Sequence, residues 1–196
     1  MRPLLTIALA LAVGLGGLTS PTSAETVGDI LIKSGGVADA DQMDHDLLLR
    51  GLHHTGLLGQ LRDVGDEEEK KEFTLWAPND RAFVSLARDL GYPGGYDEEA
   101  IWEFLDETLG RGGLSRILRY HVSTERITPF EFYLRSTAGT PIKTLHGRSI
   151  QPDFFHLRDR ARRSKDPHLV FPVHVHAENG IIRSLDRVLL PADLPR

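Results

Sequence analysis

The sequence contains no cysteine in its 196 residues. Disulfides, thiolate zinc sites, iron–sulfur ligation and cysteine nucleophiles are excluded at once. Asparagine occurs only at Asn79 and Asn179, and neither opens an N-x-Ser/Thr sequon, so N-glycosylation is excluded too. There is no excess of positive charge: 23 Lys and Arg face 28 Asp and Glu, giving −5. Electrostatics over the whole chain therefore do not favour wrapping nucleic acid. No G-x-S-x-G nucleophile elbow and no G-x-x-x-x-G-K-[ST] phosphate loop occurs. The longest apolar run, Leu4 to Leu18, is shorter than the roughly 20 residues a membrane-spanning helix needs. What remains, 40% apolar and 26% charged, is the composition of an ordinary globular domain able to bury a core without disulfides.

The first 24 residues have the layout of a secretory signal peptide. Arg2 supplies the positive region, Leu4 to Leu18 the apolar region, and small residues flank a cut after Ala24. A secreted or periplasmic location is expected, with no transmembrane segment after cleavage. Residues 25–45 are small, glycine-bearing and acidic and are expected to form a flexible linker. The folded domain is expected over residues 46–191, with a short tail at 192–196.

Within it, Asp46 precedes leucines at helical spacing, and the glycines near 56 predict a break. Phe73 to Ala77 reads as a strand stopped by Pro78, with Asn79 capping a helix through Phe83. Asp97 caps a second helix bearing Ile101, Trp102 and Leu105, and Leu114 to Leu118 marks a third. Thr128-Pro129 opens another helical turn, with proline at its permitted first position. Afterwards the pattern turns β-rich, with a hairpin over Ile142 to Gln151 and a second turning at Asn179-Gly180. Helices first and strands later predict an α+β fold.

Three segments carry a family resemblance. Phe73-Thr74-Leu75-Trp76-Ala77-Pro78-Asn79-Asp80-Arg81-Ala82-Phe83 resembles the first conserved box of the fasciclin domain. Leu118-Arg119-Tyr120-His121-Val122 is similar to its tyrosine–histidine motif, and Asn179 to Pro191 resembles its second box. Thr144-Leu145-His146-Gly147 fits the step between them. Arg183 stands where the family usually has histidine, and Asn79 where it usually has threonine. The resemblance implies a single fasciclin-like α+β domain, its helices packed against a mostly antiparallel β-rich wedge. It implies an adhesion or binding module acting at the cell envelope or outside the cell, not an enzyme, and no cofactor. A carrier of a small apolar pigment or lipid is an alternative, as is a metal-dependent hydrolase. The short receptor-binding peptides of some animal members have no counterpart in this sequence.

The candidate functional residues follow from residue chemistry. His174-x-His176 sets two imidazoles on one face of a strand, where a third ligand would complete a zinc or copper site. The acidic stretch Asp39-x-Asp41 fails as an EF-hand, because Asp44 and Arg50 stand where glycine and glutamate are required. Tyr120 and His121 are candidates for contact with a partner. Arg158, Arg160, Arg162, Arg163 and Lys165 crowd one stretch with Asp159 the only acid inside it, reversing the sign of the chain. Such arginines suit carboxylates, phosphates or sulfates, so an anionic glycan, a lipid head group or a protein at the cell surface is the expected partner. Pairing with the acidic run Asp66 to Glu69 is the alternative.

Overall fold

The computed structural model describes residues 24–34, 41–66, 68–162, 164–170 and 174–194. Residues 1–23, all but the last of the segment expected to be a signal peptide, lie outside the described residues, and so does Arg163.

The fold is α+β and is organised by a four-stranded sheet in the order β2-β1-β7-β6. The central pair is β1 (Phe73–Pro78) and β7 (Gly180–Leu185), which run parallel with Phe73 opposite Gly180 and Pro78 opposite Leu185. The two outer boxes of the sequence are thus neighbouring strands, joined by a crossover that holds most of the domain. The flanking strands, β2 (Val122–Ser123) and β6 (Val175–Ala177), pair antiparallel. Both faces of the central pair are covered, so every residue of β1 and β7 is buried.

Side-chain alternation divides the interior into two clusters. Phe73, Leu75, Ala77 and Ile182 face the larger one, built from helices α1 (Val27–Ser34), α2 (Asp46–Thr55), α3 (Leu57–Leu61), α4 (Asp80–Asp89) and α5 (Glu98–Tyr120). Trp76 and Leu185 face the smaller one. That cluster is closed by Phe132 of α6 (Pro129–Ala138) and by a second sheet of β3 (Ile142–Lys143), β4 (Ser149–Asp153) and β5 (His156–Arg158).

The helix ends follow from their caps. Asn79 accepts from the Ala82 N–H at 3.1 Å and Asp97 from the Ala100 N–H at 2.8 Å. Thr128 and Glu131 form a reciprocal capping box ahead of Pro129. The two helices expected after Asp97 are both present: α5 is broken at Gly110, whose φ of +62° and ψ of 165° are non-helical and open to glycine.

Two expectations need correction. The stretch taken as a flexible linker contains α1, whose Val27 and Leu31 are buried in the larger cluster. Residues 35–40 lie outside the described residues. The last hairpin turns at Glu178-Asn179, not at Asn179-Gly180, because Ala177 pairs directly with Gly180. Gly180 is required for another reason: a Cβ there would lie 2.3 Å from the Phe73 carbonyl oxygen. Asn179 accepts from the Val27 N–H at 2.8 Å and donates to the Leu61 carbonyl at 3.0 Å, tying the hairpin to α1 and α3.

Candidate binding surface

The tyrosine–histidine pair is structural. Tyr120 and His121 have no exposed surface, which corrects their reading as partner contacts. Tyr120 donates to the Ser149 carbonyl at 2.9 Å. His121 caps α5, its Nδ1 2.9 Å from the Ile117 carbonyl, and its Nε2 accepts from the Leu189 N–H at 2.8 Å. Those partners fix the neutral tautomer with the proton on Nδ1. Burial holds the imidazole pKa down at about 4.

His174 and His176 are exposed, with ring centroids 5.4 Å apart. Among the described residues, neither joins a group of three potential ligands. Such a group occurs elsewhere. Asp44, Asp80 and Glu98 each bring a carboxylate oxygen within 4.8 Å of the others. The backbone N–H groups of Asp46 and Leu47 donate to Asp80 at 3.3 and 3.0 Å, so Asp80 serves the first turn of α2, where His45 provides no side-chain cap. Burial, then the neighbouring Asp44, pushes the Asp80 carboxyl far above its usual range. The positive end of α2 and a retained proton account for this cluster as a helix cap.

Arg183, fully buried, replaces the histidine expected from the resemblance. Its guanidinium lies 5.0 Å from the Phe132 ring and 5.8 Å from the Trp76 ring, and donates to the Ile127 carbonyl at 3.1 Å. Burial lowers its pKa to about 10, so it remains charged between two aromatic faces.

The outer surface over the smaller cluster is unusual. Phe130, Tyr133 and Leu134 stand on the solvent side of α6, at i, i+3 and i+4, while Phe132 points inward. Beside them, β4 and β5 are joined by a two-residue turn made of Phe154 and Phe155, the latter 70% exposed. Phe154 has φ +49°, the one positive value at a non-glycine among the described residues. Its ring meets that of Tyr133 with centroids 6.1 Å apart. Nothing in the sequence marked this turn, since it lacks the glycine or asparagine that ordinarily announces one.

The basic run leaves the same hairpin. Arg158 ends β5 and pairs with Asp153 across it. Arg160, Arg162 and Lys165 are exposed and make no ion pair among the described residues. No ion pair there reaches the acidic run Asp66 to Glu69. Asp159 is turned inward, accepting from the N–H groups of Leu190 and Ala161, both at 2.8 Å. Burial raises its pKa to about 6.

Comparison with known families matches residues 44–191 to the fasciclin domain. The chain belongs to the fasciclin domain family. Fasciclin domains are adhesion and binding modules. Among solved structures, the chain resembles the FAS1 domain pair of the insect cell adhesion molecule fasciclin I. The TM-score is 0.55 at 19% identity, over 85% of this chain and 51% of that one, so the chain spans about half that structure's length. That likeness establishes the fold. No curated protein gave a significant match. Among the described residues, no helix is long and apolar enough to cross a membrane.

Proposed function

We propose that this fasciclin domain is an exported, non-catalytic binding module acting through its surface, at the cell envelope or outside the cell. The signal-like N-terminus supports export, and family membership supports adhesion or binding. The observation that carries the reading is the uncovered aromatic face of α6 and the β4–β5 turn. A contiguous apolar patch on a polar surface is a hallmark of an interaction site. Beads coated with the full chain should retain isolated cell envelopes from the encoding organism. Replacing Phe130, Tyr133 and Phe155 with serine should abolish retention without lowering thermal stability. Equal retention by both proteins, or retention by neither, would overturn the reading.

One observation favours the carrier alternative. A groove of about 640 Å³ lies between α1, α2 and α5, lined by Ile32, Leu47, Leu49, Leu58 and Trp102. That volume lies within the range of small-molecule sites. Mass spectrometry of material extracted from the natively purified protein tests it: a stoichiometric apolar compound supports a carrier, and its absence removes that reading.

A further inference from the structure

The basic surface is larger than the sequence run that announced it. Arg148, in the turn between β3 and β4, and Arg160, just after β5, stand at the open end of the β4–β5 hairpin, away from its aromatic tip. Continued past β5, the register that sets Gln151 opposite Arg158 brings Arg160 level with Ser149. Residues 190 and 191 hold both arginines: the Arg160 N–H donates to the Leu190 carbonyl at 3.2 Å, and the Arg148 guanidinium donates to the Pro191 carbonyl at 2.6 Å. The same turn meets the end of α5, where the His146 N–H donates to the Arg119 carbonyl at 3.1 Å. Arg116 stands one turn earlier on that helix. From Arg160 the chain runs through Arg162 to Lys165, which reaches α4 beside Ser85 and Arg187.

Three segments distant in sequence thus gather six cations. All but the half-buried Arg119 are exposed, and none makes an ion pair among the described residues. Asp159, inside the run, is turned inward, with Asp166 and Asp193 around it. His146 lies in the field of this surface: burial lowers its pKa, and Arg148 and Arg116 lower it further.

We infer that this surface, separate from the aromatic face, binds a linear acidic polysaccharide. Arg116, Arg119, Arg148, Arg160 and Arg162 engage its carboxylates or sulfates through paired hydrogen bonds, and Lys165 adds a point charge. Shape favours an extended ligand. The depression lined by Ser85, Lys165 and Arg187 offers about 10 Å³, far less than a site for a separate organic anion, so the ligand lies across the surface. Chemistry favours a sugar chain. None of the large apolar side chains exposed among the described residues belongs to these segments, which leaves nothing to enter a bilayer. Tyr120 is buried and His146 half-buried edge-on beside it, which leaves no open ring on which single-stranded bases could stack. The choice of a polysaccharide over duplex nucleic acid rests on the export proposed above.

Titration calorimetry of the full chain tests this with dextran sulfate, polygalacturonate, neutral dextran and duplex DNA. The parent should bind one or both acidic polysaccharides at about 0.01 M salt, more weakly at about 0.15 M as screening shortens, and neutral dextran at neither. Which of the two is preferred separates sulfate from carboxylate. Arg116→Glu with Arg160→Glu removes two side chains that bond to nothing else in the fold, and should weaken binding at least about tenfold at an unchanged melting temperature. Lys33→Glu with Lys70→Glu makes the same change of charge elsewhere and should bind as the parent does. In NMR titration, bound polysaccharide should raise the pKa of His146, because an anion offsets the field of Arg116 and Arg148. The inference falls if neither acidic polysaccharide binds, if the two double variants lose binding equally, or if His146 does not respond. It falls as well if DNA binds more tightly than either polysaccharide, or if inorganic sulfate at matched ionic strength displaces them, since the ligand would then be a nucleic acid or a compact anion. Replacing Phe130, Tyr133 and Phe155 with serine should leave polysaccharide binding intact. Failure here with envelopes still retained through those aromatics leaves the aromatic reading standing, and the reverse result leaves this one.

Discussion

The two faces of the central sheet are finished in opposite ways. On one face, five helices bury Leu47, Leu48, Leu52, Phe83, Ile101 and Leu105, and even the carboxyl of Asp80 is turned inward to serve a helix end. On the other, a smaller cluster around Trp76, Phe132 and Leu157 contains the buried charge of Arg183 and is roofed by a helix that leaves three large apolar side chains in water. The helical side directs its apolar residues to packing. The α6 side carries more than its core uses, beside a strained turn. Scaffold and surface are thus divided between the two faces, and each prediction below tests that division.

The largest expected effect compares one phenylalanine from each cluster. Phe83 and Phe132 are almost wholly buried, so either change to alanine should cost about 3–5 kcal/mol in urea unfolding. Native-state hydrogen exchange separates them. Phe83→Ala should lower protection throughout, whereas Phe132→Ala should lower it most in α6 and β3–β5. Equal loss everywhere would show one cooperative core, and the division would be only geometric.

Protons offer the next contrast. His121, on the α6 side, is held neutral with its pKa lowered to about 4. Its unfolded form takes up a proton below about pH 6.5 while the folded form does not, so stability falls as pH falls from there towards 4. The full effect is about 3 kcal/mol. Asp159, raised to about 6, works in the opposite sense, because its folded form holds a proton that the unfolded form releases above about pH 4. Asp80 on the helical side has that same sign and extends it to higher pH. Stability measured from pH 6.5 to 5 should therefore change slope in His121→Gln, and Asp80→Asn should flatten the decline above neutrality. An unchanged slope in His121→Gln would contradict the tautomer and partners assigned to that ring.

How much of this was legible depends on the range of the interaction. Asn79, Asp97 and Thr128-Pro129 marked helix starts correctly, because a cap reaches only three residues along the chain. The outer boxes marked β1 and β7, one as a short run of strand-forming residues stopped by Pro78, the other as an alternating run after a turn. The helix α1 was missed, since its eight residues become stable only when Val27 and Leu31 reach a core made elsewhere. Asn179-Gly180 signalled a turn one residue too late, because Gly180 answers to the backbone of Phe73, far away in sequence. The basic run was legible by composition. The aromatic face was not: Phe154-Phe155 carries no turn signal, and its alignment with Tyr133 arises only when β4 packs beside α6.

A smaller effect is expected at Arg183. Its two aromatic contacts offset much of the cost of burying the charge, so replacing it by an apolar side chain of similar length should be nearly neutral. Arg183→Met should stay within about 1 kcal/mol of the parent. Arg183→Lys should cost more, because a compact, strongly hydrated ammonium is harder to bury beside Trp76 and Phe132 than a weakly hydrated guanidinium. If lysine were tolerated and methionine were not, charge rather than stacking would be holding this cluster.

The smallest effect bears most directly on the division of labour. Phe154 sits at φ +49°, a conformation that costs a residue with a Cβ about 1–2 kcal/mol and glycine almost nothing. Glycine loses roughly 0.5–1 kcal/mol more backbone entropy on folding, so Phe154→Gly should raise stability by about 0.5–1 kcal/mol. The melting temperature should rise by about 1–4 °C. A rise together with lost envelope retention would show that the turn keeps a less stable residue for what it contacts outside the fold, the usual exchange of stability for function. A fall would mean that the ring's contact with Tyr133 outweighs the strain. The hairpin tip would then belong to the scaffold, and the α6 side would be closed in the same manner as the helical side.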